Sequence, residues 1–347
     1  MRRLVFVTQQ VDPGHPALAA TVPMLRALAE RVGEVVVLAD RALPGVLPEN
    51  CRVRPFAARS RAGRGVRFET ALAAELARRP KPLAVIAHMC PIYAALAAPL
   101  ARPLGVKVLL WYTHWSLSRT LRVAERVSNV VLTVDRRTFP LDSPKVRPIG
   151  HGIDLSEFRC SDDGASHADL RALALGRYSE AKGLEVVLRA VRLALDGGLD
   201  LRLEVYGPAL NPGERAHRAE LEQLVEKLDL GRRVKLGHAV LRSEVPGLLG
   251  RADVLVNNMR AGATDKVVYE ACAACTPVIA SNPAFDSLLP DELRYDREDS
   301  RRLAERLIAF GAQPPERRTE LGRTLRERVA ASHSVESWAA AVVEAAT

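Results

Sequence analysis

Short runs of continuous apolar residues alternate with helical patterns along almost the whole chain, in two successive series. The first series of strand-like runs is Leu4–Thr8, Val35–Ala39, Arg52–Phe56, Leu83–Ala87, Val106–Tyr112, Val130–Val134 and Val146–Ile149. Helical patterns fit between most of them, near residues 17–31, 66–79, 92–102 and 116–127. Strands that are apolar throughout are buried on both faces. Alternation with helices achieves this by laying parallel strands side by side under two helical layers. The second series is Arg171–Leu175, Leu201–Tyr206, Val234–Leu236, Val254–Asn257 and Val278–Ala280, with a sixth run at Leu293–Tyr295. Its helices fall near 182–196, 213–228, 243–250 and 266–274, and the tail is helical near 298–311, 315–331 and 334–346. Between the series, His151 to Leu170 (HGIDLSEFRCSDDGASHADL) is polar and has little periodicity, as a linker does. The pattern predicts an α/β chain of two Rossmann-like, doubly wound parallel-sheet domains facing a central cleft. Their bounds are 1–152 and 153–330, with residues 331–347 a helix packing back toward the first domain. Ligands bind outside the carboxyl ends of the strands in such sheets.

The chain has 347 residues, 48% of them hydrophobic and 26% charged, which suffices for two packed cores. No apolar run is long enough to span a bilayer. The opening MRRLVFVTQQ has an apolar run of only Leu4 to Val7, too short for a signal-peptide core and suited to a first buried strand. The five cysteines, Cys51, Cys90, Cys160, Cys272 and Cys275, are odd in number and unpatterned, so the expectation is a reduced, cytoplasmic protein. Cys272 and Cys275 form a CxxC inside a predicted helix with no second pair. A redox or metal role competes there with small residues that let the helix pack closely, and the packing reading is preferred.

The net charge of +9 is uneven. Residues 1–150 hold 23 Lys and Arg against 10 Asp and Glu, a balance of +13. The densest patch, Cys51 to Phe68, has six arginines and no acid. A solvated surface, a nucleic-acid face, and a surface for anionic lipid or an acidic acceptor all fit this charge. Nucleic acid is set aside because no recognised binding motif accompanies the patch.

Two segments of the second series carry chemistry. In AGATDKVVYEACAACTPVIASN, Ala261 to Asn282, a loop after a strand leads into a helix beginning near Lys266, and a further strand follows Pro277. A helix N-terminus at a strand end is a phosphate site. Glu270, one turn inside, leans back toward that end and can accept both hydroxyl protons of a ribose. In GRYSEAKG, Gly176 to Gly183, Arg177 and Lys182 flank a tight loop that opens a helix. Two cations there suit a diphosphate and would stabilise its departure. The competing reading is a solvated loop with ordinary surface cations.

Together GRYSEAKG and VVYEACAACTPVIAS resemble the retaining glycosyltransferase family 4, with the GT-B fold, and the resemblance covers almost the whole chain. The family pattern is Gly-Arg-x4-Lys-Gly, then Glu-x7-Glu leading into a Thr-Pro-Val strand. IGHGIDLSEF, Ile149 to Phe158, resembles the family's domain junction, where His151 lies. The resemblance implies an acceptor-binding first domain and a nucleotide-sugar-binding second domain. It implies transfer of a sugar from a UDP- or GDP-sugar to a hydroxyl of a glycan, lipid-linked or small-molecule acceptor, with retention and without metal or cofactor. By that match Arg177 and Lys182, joined by Lys266 and Val267, hold the diphosphate, and Glu270 holds the ribose. His238 and Val240, in LGHAVL, match a loop that holds the nucleobase mainly by backbone.

One departure stands out. The first acid of Glu-x7-Glu falls at Gly262, in a loop reading GATDK. Gly262, Thr264 and Asp265 are therefore the donor-sugar candidates, with Asp265 partly replacing the acid or merely capping the helix. In the first domain, the resemblance places His114, in WYTHW, beside the donor sugar near the reaction centre; a structural role flanked by aromatics competes. Gly14 and His15, in TQQVDPGHP, and His88, in HMCP, are acceptor-side candidates. No metal-ligand spacing and no Ser/His/Asp arrangement is found.

The implied mechanism is front-face transfer, in which a departing phosphate oxygen takes the acceptor's proton. Two rival readings are a GT-B sugar-nucleotide epimerase and a non-catalytic nucleotide-binding GT-B module, the latter supported only by Gly262. The expected location is the cytoplasm, or the inner face of the cell membrane through weak attachment of the basic first domain to anionic lipid.

Overall fold

Seven parallel strands build the first sheet of the computed structural model: β1 (Arg3–Val11), β2 (Glu34–Ala42), β3 (Cys51–Pro55), β4 (Ala84–His88), β5 (Lys107–Trp111), β6 (Val130–Thr133) and β7 (Val146–Pro148). The described residues are 2–15, 18–160, 169–262 and 264–347. They divide into two units, one running to Asp154 and taking in Ser332–Thr347, the other Leu155–Ala331.

In the first unit the strand order is β3-β2-β1-β4-β5-β6-β7. Central β1 sets Val5 opposite Val36 on one side and Val85 on the other. The connecting helices are α1 (Thr21–Ala29), α2 (Arg61–Ala77), α3 (Pro91–Ala101) and α4 (Arg119–Val127). Side chains alternate across the sheet. Val5, Val7, Val36, Val85 and Leu110 pack with Phe68 and Leu72 of α2, Tyr93 of α3 and Leu121 of α4. The starts of α2 and α4 are fixed by Ser60 and Ser118, whose side chains accept from the amides of Gly63 and Leu121. Each such cap contributes about 1 kcal/mol.

The second unit repeats the plan with β8 (Leu170–Leu175), β9 (Leu201–Tyr206), β10 (Val234–Leu236), β11 (Val254–Asn257) and β12 (Val278–Ala280), in the order β10-β9-β8-β11-β12 and all parallel. Its helices are α5 (Leu184–Asp196), α6 (Pro212–Lys227), α7 (Val245–Arg251), α8 (Lys266–Ala273), α9 (Ser300–Gly311) and α10 (Pro315–His333). The last helix, α11 (Val335–Ala346), lies in the first unit beside α1, where Trp338 meets Trp111 edge to face at 5.7 Å between ring centroids.

Three expectations need correction. Leu293–Tyr295 is not a strand: Pro290 leads into a short 3-10 turn, Asp291–Leu293, and only an isolated bridge joins Arg294 to Ala280. Both apolar residues are buried, which is why the run looked strand-like. The cysteines are not all reduced: Cys160 is bonded to Cys275, while Cys51, Cys90 and Cys272 are free. Helix α8 ends at Ala273 and Cys275 takes φ 60°, so Cys272 and Cys275 do not share a helix. The partners are 115 residues apart in sequence, a pairing that spacing does not reveal, and the argument from cysteine count to a reducing compartment falls.

The arginine patch is also not simply a solvated face. Glu75, near the end of α2, is fully buried and accepts ion pairs from Arg3 (3.1 Å), Arg52 (2.6 Å), Arg54 (2.8 Å) and Arg78 (3.0 Å). Glu34 adds bonds to Arg52 and Arg78. Burial pushes the Glu75 carboxyl up, but hydrogen bonds from Arg52 and Arg78 outweigh it and hold it below the ordinary range. Arg64 pairs with Asp40 at 3.4 Å, and Arg67 donates to the Ala57 carbonyl.

Candidate active site

Three neighbouring strands of the second unit end in glycine: Gly176 after β8, Gly207 after β9 and Gly237 after β10. The backbone needs this. A Cβ on Gly207 would collide with the Gly176 carbonyl, and one on Gly237 would enter the Tyr206 ring. Gly176 itself has φ 139°, and a Cβ there would strike the Lys182 side chain. The carboxyl end of this sheet is therefore an open shelf of main chain, rimmed by the side chains that follow each glycine.

Arg177 leaves the shelf and pairs with Glu214 in the first turn of α6. Arg177 is 52% exposed, whereas Glu214 is 6% exposed. Burial pushes the Glu214 carboxyl up; the Leu210 amide and the Arg177 guanidinium outweigh this and hold it below the usual range. Lys182 lies in a 3-10 turn, Glu180–Lys182, not in the first turn of the following helix as expected. Gly183, in the left-handed region at φ 53°, separates that turn from α5. Lys182 folds back over Gly176 and donates to the Leu175 carbonyl at 3.1 Å and to Asp265.

Asp265 occupies the N-cap position of α8, but its side chain makes no cap bond. Its carboxylate instead accepts from Lys182 and, at 2.7 Å, from the Asn257 amide at the end of β11. The capping reading is thereby corrected. Gly262 has φ 88°, and the Thr264 hydroxyl is buried without a hydrogen-bond partner among the described residues. In α8, Val267 is buried and Lys266 reaches Glu270 at 3.1 Å. Glu270 also accepts from Arg242 at 3.0 Å, and Arg242 pairs with Glu157 at 2.9 Å.

His238 follows Gly237 and is exposed, while Val240 is half-buried. His238 lines a cavity of about 600 Å³ with Gly207, Pro208, Ala209, Arg218 and Ala239. Tyr178, from the GRYSEAKG segment, is fully buried beneath, its hydroxyl donating to the Gly237 carbonyl at 2.7 Å. Burial pushes that phenol up to about 12.

The remaining candidates belong to the first unit. His114 is exposed, stacks on Trp115 at 5.5 Å, and accepts the Ser116 amide on Nδ1 at 3.0 Å, which leaves its neutral-ring proton on Nε2. His88 is buried at the end of β4, with Nδ1 3.1 Å from the Thr8 hydroxyl of β1. Burial lowers it to about 4, so it is neutral at ordinary pH. The Gly14 amide donates to Asp12 at 2.8 Å, and His15 accepts the Leu18 amide at 3.0 Å. Among the described residues no three His, Cys, Asp or Glu side chains gather as a metal-ligating group.

The second unit brings Arg177, Lys182, Asp265, Lys266 and Glu270 to one end of its sheet. It adds four residues that sequence reasoning missed: Glu214, Arg242, Arg218 and Asn257. Only Asn257 had a sequence signal, a polar residue closing an apolar strand.

Residues 162–328 match the family model for Glycosyl transferases group 1. The chain is 27% identical over 191 residues to the glycosyltransferase WcaL of Escherichia coli (strain K12), 51% of this chain and 45% of that protein. It is 28% identical over 195 residues to a D-inositol 3-phosphate glycosyltransferase of Streptomyces scabiei (strain 87.22), 53% of this chain and 42% of that one. The matches thus span less than half the length of these relatives. Sucrose-phosphate synthase of Thermosynechococcus elongatus superposes with TM-score 0.73 at 20% identity, over 99% of this chain and 98% of that one. Anabaena HepE, solved with UDP and glucose, superposes with TM-score 0.75 at 16% identity over 99% of both chains. No helix among the described residues is long and apolar enough to cross a membrane. Residues 162–328 thus match Glycosyl transferases group 1, within a chain that has the GT-B fold.

Proposed function

We propose that the protein is a retaining glycosyltransferase that moves a sugar from a UDP- or GDP-sugar to a hydroxyl of a glycan, lipid-linked or small-molecule acceptor. The observation that carries this reading is the arrangement of cations on the glycine shelf. Arg177 and Lys182 both reach the carboxyl end of the sheet, and each is held by an acid from another segment. A donor diphosphate offers each cation more negative charge than one carboxylate does. In this reading it takes over Arg177 from Glu214 and Lys182 from Asp265. The N-terminus of α8 and Lys266 add to the same field. Leaving-group charge develops where these donors already point, which is how such groups lower a barrier. Asp265, released from Lys182, is then free to accept from a sugar hydroxyl, the task left open by Gly262. Glu270, fixed by Arg242 and Lys266, accepts the ribose diol. His114 of the first unit, whose neutral ring carries its proton on Nε2, is the residue that the family resemblance assigns to the donor sugar. The acceptor hydroxyl attacks on the face the diphosphate leaves, and a departing phosphate oxygen takes its proton. No metal is required in this scheme, because the cations are supplied by the chain. The HepE structure, which contains UDP and glucose, supports a nucleotide-sugar as the ligand class.

The test is nucleoside-diphosphate release from a panel of UDP-, GDP- and ADP-sugars, with and without a pool of glycan and lipid-linked acceptors. Release from one UDP- or GDP-sugar that rises with acceptor is expected. Conversion of donor alone into an isomeric donor would instead establish the epimerase, and binding without turnover a non-catalytic module.

A further inference from the structure

Arg218, on α6, donates from Nη1 to the His238 Nδ1 at 3.0 Å. A guanidinium has only donors and stays protonated in proteins, so Nδ1 must be the acceptor. The neutral ring then carries its proton on Nε2, and the tautomer is fixed by the neighbour. Arg218 is itself held on every side. Nη2 donates to the Leu236 carbonyl at 3.2 Å, Nε donates to Glu222 at 3.0 Å, and the guanidinium lies 5.0 Å over the ring of buried Tyr178. Each guanidinium nitrogen is committed, so Arg218 positions the imidazole and is not itself the reader.

His238 is exposed and borders the cavity described above. The walls beside it are small: Gly207, Pro208, Ala209 and Ala239. The Gly207 position cannot carry a side chain, because a Cβ there would strike the Gly176 carbonyl. Low walls, an aimed N–H and no protein acceptor for it among the described residues suit a flat ring with a hydrogen-bonding edge.

Resting on the nucleotide-sugar reading, we infer that the His238 Nε2 proton reads the donor's nucleobase. It selects bases that present a carbonyl oxygen over those that present an amino group at the same position. Uracil and guanine carry an oxygen where cytosine and adenine carry an NH₂. An N–H donor facing a carbonyl makes a bond. Facing an amino group it leaves two donors opposed, and a site built to hydrogen-bond one partner rejects the other.

The experiment is titration calorimetry of the full chain with UDP, CDP, GDP and ADP. In whichever size class binds, the carbonyl member is expected to bind at least about ten-fold tighter than its amino counterpart. His238→Phe and Arg218→Met should bring the two members within about three-fold, each with its melting temperature checked. His238→Phe alone carries the test if Arg218→Met does not fold, since the His238 ring is exposed and its loss removes no core packing. Arg177→Ala should weaken all members in parallel and leave the ratio intact. The ratio should also be flat from pH 6 to 9, because the neutral ring already bears the Nε2 proton and the charged ring donates there as well. Equal binding of the two members, an amino preference, selectivity that survives His238→Phe, or selectivity lost on raising the pH would each overturn the inference. In those cases the nucleotide site would still stand, whereas absence of binding by all four ligands would overturn both.

Discussion

The two units share one architecture but place their charge at opposite ends of the strands. In the first, Arg3 and Glu34 open β1 and β2 and meet Arg52, Arg54, Glu75 and Arg78 in a network centred on a fully buried carboxylate. In the second, the pairs Arg177–Glu214, Lys182–Asp265 and Arg242–Glu270 stand at the carboxyl ends. Burial decides what each set does. Glu75 is fully buried and shared by four arginines, one of which, Arg3, is buried with it. Arg177 is half exposed, and if its guanidinium turns to another anion the buried Glu214 carboxylate keeps the Leu210 amide as a donor. In the proposed reading, ion pairs in the first unit define the fold, and those in the second exchange partners with a ligand.

The largest effect that tests this contrast is expected at Glu75. Glu75→Gln leaves buried Arg3, and the partly exposed Arg52, Arg54 and Arg78, without their shared carboxylate, and loss of one partner of a buried pair such as Arg3–Glu75 costs about 3–5 kcal/mol. Urea denaturation should show that loss. The acid limb should move as well. Carboxyls held below their usual range contribute stability that is fully present above the unfolded value and is lost as pH falls through the lower folded one. In Glu75→Gln the steepness of that acid limb should decrease. A Glu75→Gln protein as stable as the parent would remove the distinction between the units.

Next come the cations of the second unit. Lys182→Ala and Arg177→Ala should each lower turnover by about 10²-fold, or roughly 2.7 kcal/mol, with little change in melting temperature. Asp265→Asn is a companion of smaller size. Because the Asp265 side chain does not cap α8, Asn there loses the Lys182 pair without losing a cap, and donor affinity should fall by several-fold. Stability losses that match the activity losses would make these pairs structural, like those of the first unit.

Histidines give the third test. His88, buried, and His333, half-buried, both in the first unit, are lowered by desolvation to about 4. A histidine whose folded value lies below its unfolded one contributes stability that is present above the unfolded value and lost as pH falls toward the folded one. The first unit should therefore weaken between about pH 6.5 and 4, by up to about 3 kcal/mol for each histidine. Thermal melts across that window check it, and His88→Phe should flatten part of the slope. A melting temperature independent of pH there would mean that neither ring is neutral by burial.

The sequence revealed the strand series because the signal is local: apolar runs broken by helical periodicity. Twelve of the thirteen expected strand runs are strands, and the exception, Leu293–Tyr295, is apolar but begins after Pro290. The cations Arg177 and Lys182 and the acid Glu270 were legible for the same reason, since each lies at a fixed offset from a strand end. Their partners were not. Glu214 is 37 positions from Arg177, and no pattern along the chain says that the first turn of α6 stands over the end of β8. Asn257 and Arg242 also act across loops. The Cys160–Cys275 bond and the arginines around Glu75 are invisible in sequence for the same reason, and the charge count misread four-coordinate carboxylate binding as free basic surface.

That misreading sets the smallest prediction. Six arginines between Cys51 and Phe68 suggested attachment to anionic membranes. Arg52 and Arg54 are committed to Glu75, Arg64 pairs with Asp40, and Arg67 donates to a carbonyl. Only Arg59 and Arg61 of the six carry neither an ion pair nor a side-chain hydrogen bond among the described residues. At about 1 kcal/mol for each basic residue near a charged surface, the patch offers about 2 kcal/mol, and salt screens this beyond a Debye length of roughly 8 Å. Co-sedimentation with anionic vesicles at low salt should therefore show marginal binding that Arg59→Ala with Arg61→Ala abolishes, and neutral vesicles should show none. Strong binding that survives both substitutions would mean that the Glu75 network opens at a surface. The first unit would then hold its charge as exchangeably as the second, and the contrast between them would fail.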